Sequence, residues 1–181
     1  MKSIQLVMMM LLGLGALSSC GPTLSPFTDR LYETYRWDEE DLRRIQFYLS
    51  EDIVLRREHS GGKSEIVGGE IKVIEGREVD EIVIRRGTPG VFLFSPKSER
   101  FAISFEGKTE EKFLMFGPNP KMGNRYMLLG SNWDRSQGTV TYDGRSYEVS
   151  SASAYAGLLV DLKKIRREST RSRVATGRRI D

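Results

Sequence analysis

Between Asp52 and Leu162 no apolar pattern runs far before a glycine, a proline or a charged turn interrupts it, and that rhythm restricts the chain to short strands. The runs are Ile53 to Arg57, Glu70 to Ile74, Glu81 to Arg85, Val91 to Phe94, Phe101 to Phe105, Lys112 to Phe116 and Tyr126 to Leu129, with a last one from Leu158 to Leu162. Phe101, Ile103 and Phe105 alternate with Ala102 and Ser104, which predicts one buried face. The sharpest local signal is Asp143-Gly144 between Thr139 and Val149. Asp-Gly suits a two-residue type I′ hairpin, and the resulting register sets Val140, Tyr142, Tyr147 and Val149 on one face. Strands of this number joined by short turns predict a mainly β fold, an antiparallel sandwich or a small closed barrel. Strands do not alternate with crossover helices, so an α/β nucleotide-binding fold is not expected.

Upstream of the strands the pattern is helical. Thr28 is placed to cap a turn through Leu31 to Tyr35, and Asp38 to cap a helix from Glu39 to Leu49. Glu39, Glu40 and Asp41 then lie in the first turn, where the helix dipole favours them. Leu42, Ile45 and Leu49 form a stripe that Phe47 and Tyr48 broaden, predicted to pack on the sheet.

The amino end differs in kind from the body. Ile4 to Leu17 is an apolar run broken only by Gln5, Gly13 and Gly15, with Lys2 before it. Fourteen helical residues reach roughly 21 Å, short of the ~30 Å hydrocarbon core of a bilayer, so a signal-peptide segment fits better than a spanning helix. At its end stands Leu17-Ser18-Ser19-Cys20, an aliphatic residue, two small ones and the chain's one cysteine. This resembles the lipobox of bacterial lipoproteins. The resemblance implies diacylglycerol joined to Cys20 by a thioether, cleavage after Ser19 and acylation of the new amino terminus. It divides the chain into a signal peptide (1–19), a lipidated tether (20–26), one β-rich domain with amino-terminal helices (27–165) and a flexible basic tail (166–181). No aspartate adjoins Cys20 and no acidic cluster follows it, so the resemblance implies the periplasmic face of the outer membrane. The single cysteine also excludes an intramolecular disulfide and cysteine-ligated metal in the body.

Charge is segregated along the chain. From residue 161 onward eight basic residues (Lys163, Lys164, Arg166, Arg167, Arg171, Arg173, Arg178, Arg179) face three acids, a net charge of +5. Residues 21 to 160 hold 19 basic and 22 acidic residues, a net charge of −3. Few apolar groups lie beyond Ile165, so a flexible arm is expected, with Lys163, Lys164, Arg166, Arg167, Arg171 and Arg173 available to an anionic surface. Export makes nucleic acid an unsuitable partner.

Catalytic patterns are sparse. His59 is the one histidine, too few for a multi-histidine zinc site, and no serine sits in a Gly-x-Ser-x-Gly elbow. Ser60-Gly61-Gly62-Lys63 has the spacing of a serine-lysine pair but precedes strand and turn residues rather than opening a helix. Phosphate-binding glycine loops are missing, and no cofactor is implied. Glu75, Glu78, Asp80 and Glu81 crowd a predicted turn, where exposed charge is ordinary. Asn132-Trp133-Asp134, just beyond a strand, is the best contact loop, because tryptophan beside polar groups suits a protein or a sugar. The expectation is therefore a non-enzymatic envelope lipoprotein, an accessory subunit docking on another envelope protein. Two alternatives stand beside it. One is a module binding a lipid, glycan or peptide among Phe92, Phe94, Phe113, Met115, Phe116 and Met127; the other is a glycan hydrolase using paired carboxylates.

Overall fold

A computed structural model describes residues 23–58, 70–74, 77–107, 112–134 and 136–169. The fold is mainly β, built from two antiparallel sheets that do not close into a barrel. Of the two architectures expected, the open one is found.

Twelve strands appear in the described residues. They are β1 (Leu24–Pro26), β2 (Gln46–Leu49), β3 (Ile53–Glu58), β4 (Glu70–Ile74), β5 (Arg77–Ile84), β6 (Pro89–Lys97), β7 (Arg100–Ser104), β8 (Leu114–Asn119), β9 (Arg125–Leu128), β10 (Gln137–Tyr142), β11 (Arg145–Ser150) and β12 (Leu158–Asp161). Three α-helices join them: α1 (Asp29–Tyr35), α2 (Glu39–Arg44) and α3 (Leu162–Ser169). The seven-stranded sheet has the order β1-β12-β2-β6-β7-β8-β9, and the five-stranded one β10-β11-β3-β5-β4. The larger sheet curls until its far strand touches the near side through isolated bridges, Thr28 with Arg125 and Met127 with Gly157.

Local chemistry accounts for most elements. Thr28 accepts from the Leu31 amide (3.2 Å) and Asp38 from the Asp41 amide (2.8 Å), so both predicted caps form. The β10–β11 hairpin turns at Asp143 (φ 51°) and Gly144 (φ 66°), as a type I′ turn requires, and Val140 pairs with Tyr147. Val140, Tyr142, Tyr147 and Val149 are all buried.

Three boundaries and one burial pattern differ from expectation. The helix capped by Asp38 stops at Arg44, and Gln46–Leu49 is strand β2 between β12 and β6, with Phe47 and Leu49 buried and Gln46 and Tyr48 half-buried. Leu42 and Ile45 satisfy helical spacing, but Phe47 and Leu49 satisfy period two, and two neighbouring strands with free ladders decide the matter. Leu24–Pro26, expected to belong to a tether, is instead strand β1, paired with β12. Residues 166–169, expected to be part of a flexible tail, belong to α3. Strand β7 is buried on both faces, Ala102 and Ser104 included, with the Ser104 hydroxyl donating to the Glu106 carbonyl (2.9 Å).

The core lies between the sheets. Phe27 is its hub, fully buried, with ring centroids 4.9 Å from Tyr126, 5.2 Å from Phe47, 5.7 Å from Phe101 and 5.9 Å from Trp37. Burying such a side chain contributes about 2–3 kcal/mol, and the aromatic pairings add to it. The five-stranded sheet contributes aliphatic side chains, among them Ile53, Leu55, Ile82 and Ile84.

Candidate functional site

The loop from Ser131 to Gln137 holds the three residues singled out as contacts. Ser131 and Thr139 exchange two backbone hydrogen bonds (2.8 and 2.9 Å), and Asn132 takes the left-handed region at φ 51° to start the loop. One Asp134 oxygen accepts from the amides of Ser136 and Gln137 (2.7 Å each) and from the Ser136 hydroxyl (3.0 Å). Those backbone donors hold its carboxyl below the usual carboxylate range. The Trp133 ring lies on a shelf where Gly138 and Gly130 leave room; a Cβ on Gly138 would come within 2.3 Å of it. The ring keeps 37% exposure, so the loop presents an aromatic edge while Asp134 is spent on the turn.

A larger feature lies elsewhere. An open depression of about 880 Å³ is formed by strand ends and connections, including Pro26, Met122, Arg125, Met127, Tyr155 and Leu159. Tyr155 is 60% exposed, the most exposed large hydrophobic side chain among the described residues. Much of the polar rim serves the fold, as Ser50 Oγ accepts from the Gly157 amide (2.8 Å) and Asp52 from the Arg86 amide (2.6 Å). What remains is aromatic and thioether surface beside Arg125 and Glu51, a composition suited to protein contact. Sequence reasoning missed this face because its residues come from four separate segments. Tyr155 alone left a trace, as one large aromatic in a stretch of serines and alanines.

The other candidates divide. Of the proposed ligand-lining set, Phe92, Phe116 and Met127 are buried, whereas Phe94 is exposed and stacks edge-on against Phe113 (5.2 Å). Phe113 and Met115 line a groove of about 410 Å³ with Leu129 and Val140, flanked by Lys97 and Arg100. Asp80 and Glu81 are adjacent on β5 and so face opposite sides. Asp80 receives the Tyr147 hydroxyl (3.2 Å) and lies 3.5 Å from Arg57; Glu81 is bound by Arg56 (2.8 Å). Glu106 accepts from Tyr142 (2.8 Å) and Lys112 (2.7 Å). Burial, with these carboxylates nearby, pushes both tyrosines above the usual phenol range, and the hydrogen bond to Glu106 raises Lys112. Among the described residues no group of His, Cys, Asp and Glu is arranged to hold a metal ion. His59, Ser60, Lys63 and Glu75 lie outside the described residues, as does the side chain of Glu78.

Helix α3 carries the first basic residues. Asp161 caps it, accepting from the amides of Lys163 (2.9 Å) and Lys164 (3.3 Å). Ile165 is buried and Leu162 half-buried, which docks the helix and leaves Lys163, Lys164 and Arg166 exposed. Arg167 continues the helix with its side chain outside the described residues, and Cys20, Arg171 and Arg173 lie outside them altogether. No helix among the described residues is long and apolar enough to cross a membrane.

Comparison with protein-family models, with curated proteins and with solved structures returns no match to the chain.

Proposed function

We propose that this chain is a cell-envelope lipoprotein, lipidated at Cys20 and held on the periplasmic face of the outer membrane, that acts without catalysis as an accessory subunit docking on another envelope protein. The observation that carries the reading is positional. Strand β1 begins at Leu24, so at ~3.3 Å per residue an anchor at Cys20 is within about 13 Å of the sheet. Pro26 at the end of that strand lines the depression that exposes Tyr155. A surface of tyrosine, methionine and arginine beside the point of attachment suits a partner in the same membrane.

Two experiments test it. Metabolic labelling with an alkyne fatty acid is expected to mark the wild-type chain and not Cys20→Ser; equal labelling, or none, removes the anchor. A photo-crosslinking residue at position 155 is expected to capture one dominant envelope protein, whereas one at Val83, exposed on the other sheet, captures none. Adducts alike from both positions, or from neither, remove the docking face.

A second reading follows from the groove of about 410 Å³ holding Phe113 and Met115 beside Lys97 and Arg100. Its shape and charge suit one acyl chain with an anionic head. Native mass spectrometry of the protein extracted from its own membrane would show that ligand as a discrete added mass.

A further inference from the structure

We infer that helix α3 is a second membrane contact, a cationic foot set on anionic phospholipid head groups beside the lipid anchor. The inference rests on the lipid-anchored reading above and adds to it the chemistry and orientation of the surface that the membrane meets.

The register of the sheet edge makes the case. Strands β1 and β12 pair antiparallel with Leu24 opposite Asp161. The residue nearest the anchor on one strand is therefore beside the residue that caps α3 on the other. Antiparallel strands lie ~5 Å apart, so the start of α3 and the start of the anchored strand share one corner of the body. The helix is rigidly placed there. Asp161 holds its amino end, Ile165 is buried in the core, and the lysines that follow the cap stand in solvent. Sequence continues the charge, since the stretch from 161 onward carries a net +5 while residues 21 to 160 carry −3. A membrane that held Cys20 would meet this cationic corner while the net-negative body stayed away from its phosphates. Two or three acyl chains at Cys20 hold the protein on the membrane by themselves, so what the basic patch adds is orientation.

The test uses the full-length lipidated protein in two kinds of vesicle, phosphatidylcholine alone and phosphatidylcholine with phosphatidylglycerol. Acetylation of lysines by a membrane-impermeant reagent is read by peptide mass spectrometry, with the exposed Lys121 as the internal reference. Each basic group near an anionic surface gains about fivefold in occupancy, so Lys163 and Lys164 are expected to react about fivefold more slowly on the phosphatidylglycerol vesicles. High salt is expected to restore their reactivity. Equal reactivity on both vesicles overturns the inference. Protection on both, unmoved by salt, leaves an anchored body without head-group recognition and overturns it too. Protection in the native envelope but on neither vesicle assigns the helix to a protein and again overturns it. If the protein floats with neither vesicle, the anchored reading itself has failed, an outcome distinct from all the others.

Discussion

The two sheets stabilise the same core by different physics. On the seven-stranded side Phe27, Phe47, Phe101 and Tyr126 interlock ring against ring, with Trp37 stacked on Tyr35 at 4.8 Å. On the five-stranded side aliphatic residues give way to Asp80, Arg57 and Tyr147, joined by the Arg57 guanidinium 5.6 Å above the Tyr147 ring. Dispersion and apolar burial depend little on pH or salt; the polar group depends on partners keeping their charge. One region is therefore a packing problem and the other an ionisation problem.

Phe101→Ala is the most direct way to break that contrast. Phe101 is fully buried and meets the rings of Phe27, Tyr32, Phe92 and Tyr126, so a loss of about 4 kcal/mol is expected in urea unfolding, the same at pH 6 and pH 8. A loss under about 1 kcal/mol would mean the aromatic hub is not the keystone. Asp80→Ala is expected to cost about 2–3 kcal/mol, because it strands Arg57 and the Tyr147 hydroxyl together. If it cost as much as Phe101→Ala, the difference between the sheets would vanish.

Gly138→Ala sharpens the comparison at the seam. Its methyl would displace the Trp133 ring, at about 1–2 kcal/mol, with a red shift in tryptophan emission; unchanged emission would mean the ring does not rest there. The smallest effect belongs to alkali. The folded-state pKa values of Lys112 and Tyr147 stand above their ordinary 10.5 and 10.0, so each favours the fold below those values, and the advantage is lost as pH rises through them. Phenolate absorbance is expected to rise together with the loss of circular dichroism above pH 10. Lys112→Met should flatten that alkaline limb by about 0.5–1 kcal/mol, and an unchanged limb would discharge Lys112 from the role.

What the sequence made legible follows the range of the forces involved. The β10–β11 hairpin could be read residue by residue, since Asp143-Gly144 and a period of two are both local. Both helix caps were equally local. Strand β2 was not, because Leu42, Ile45, Phe47 and Leu49 serve two periods at once and only the neighbouring ladders choose. Strand β1 left no signal, being three residues that end in a proline, with a pairing partner, β12, more than 130 residues away in sequence. The ties of Asp80 to Arg57 and Tyr147 depend on cross-strand register, which composition does not encode. The Trp133 loop was read as a contact, and its glycine shelf appears only when residues 130 and 138 come together. The depression around Tyr155 was illegible for the same reason.

The pairing of β1 with β12 also sets an order of events. A chain that emerges amino end first carries β1 without its ladder until β12, the last described strand, is delivered, and β2 stays an open edge for the same interval. The sheet seals only when β12 takes its place between β1 and β2. A chain cut short before Leu158 would expose two raw strand edges, whereas one that carries β12 can close both in a single late step.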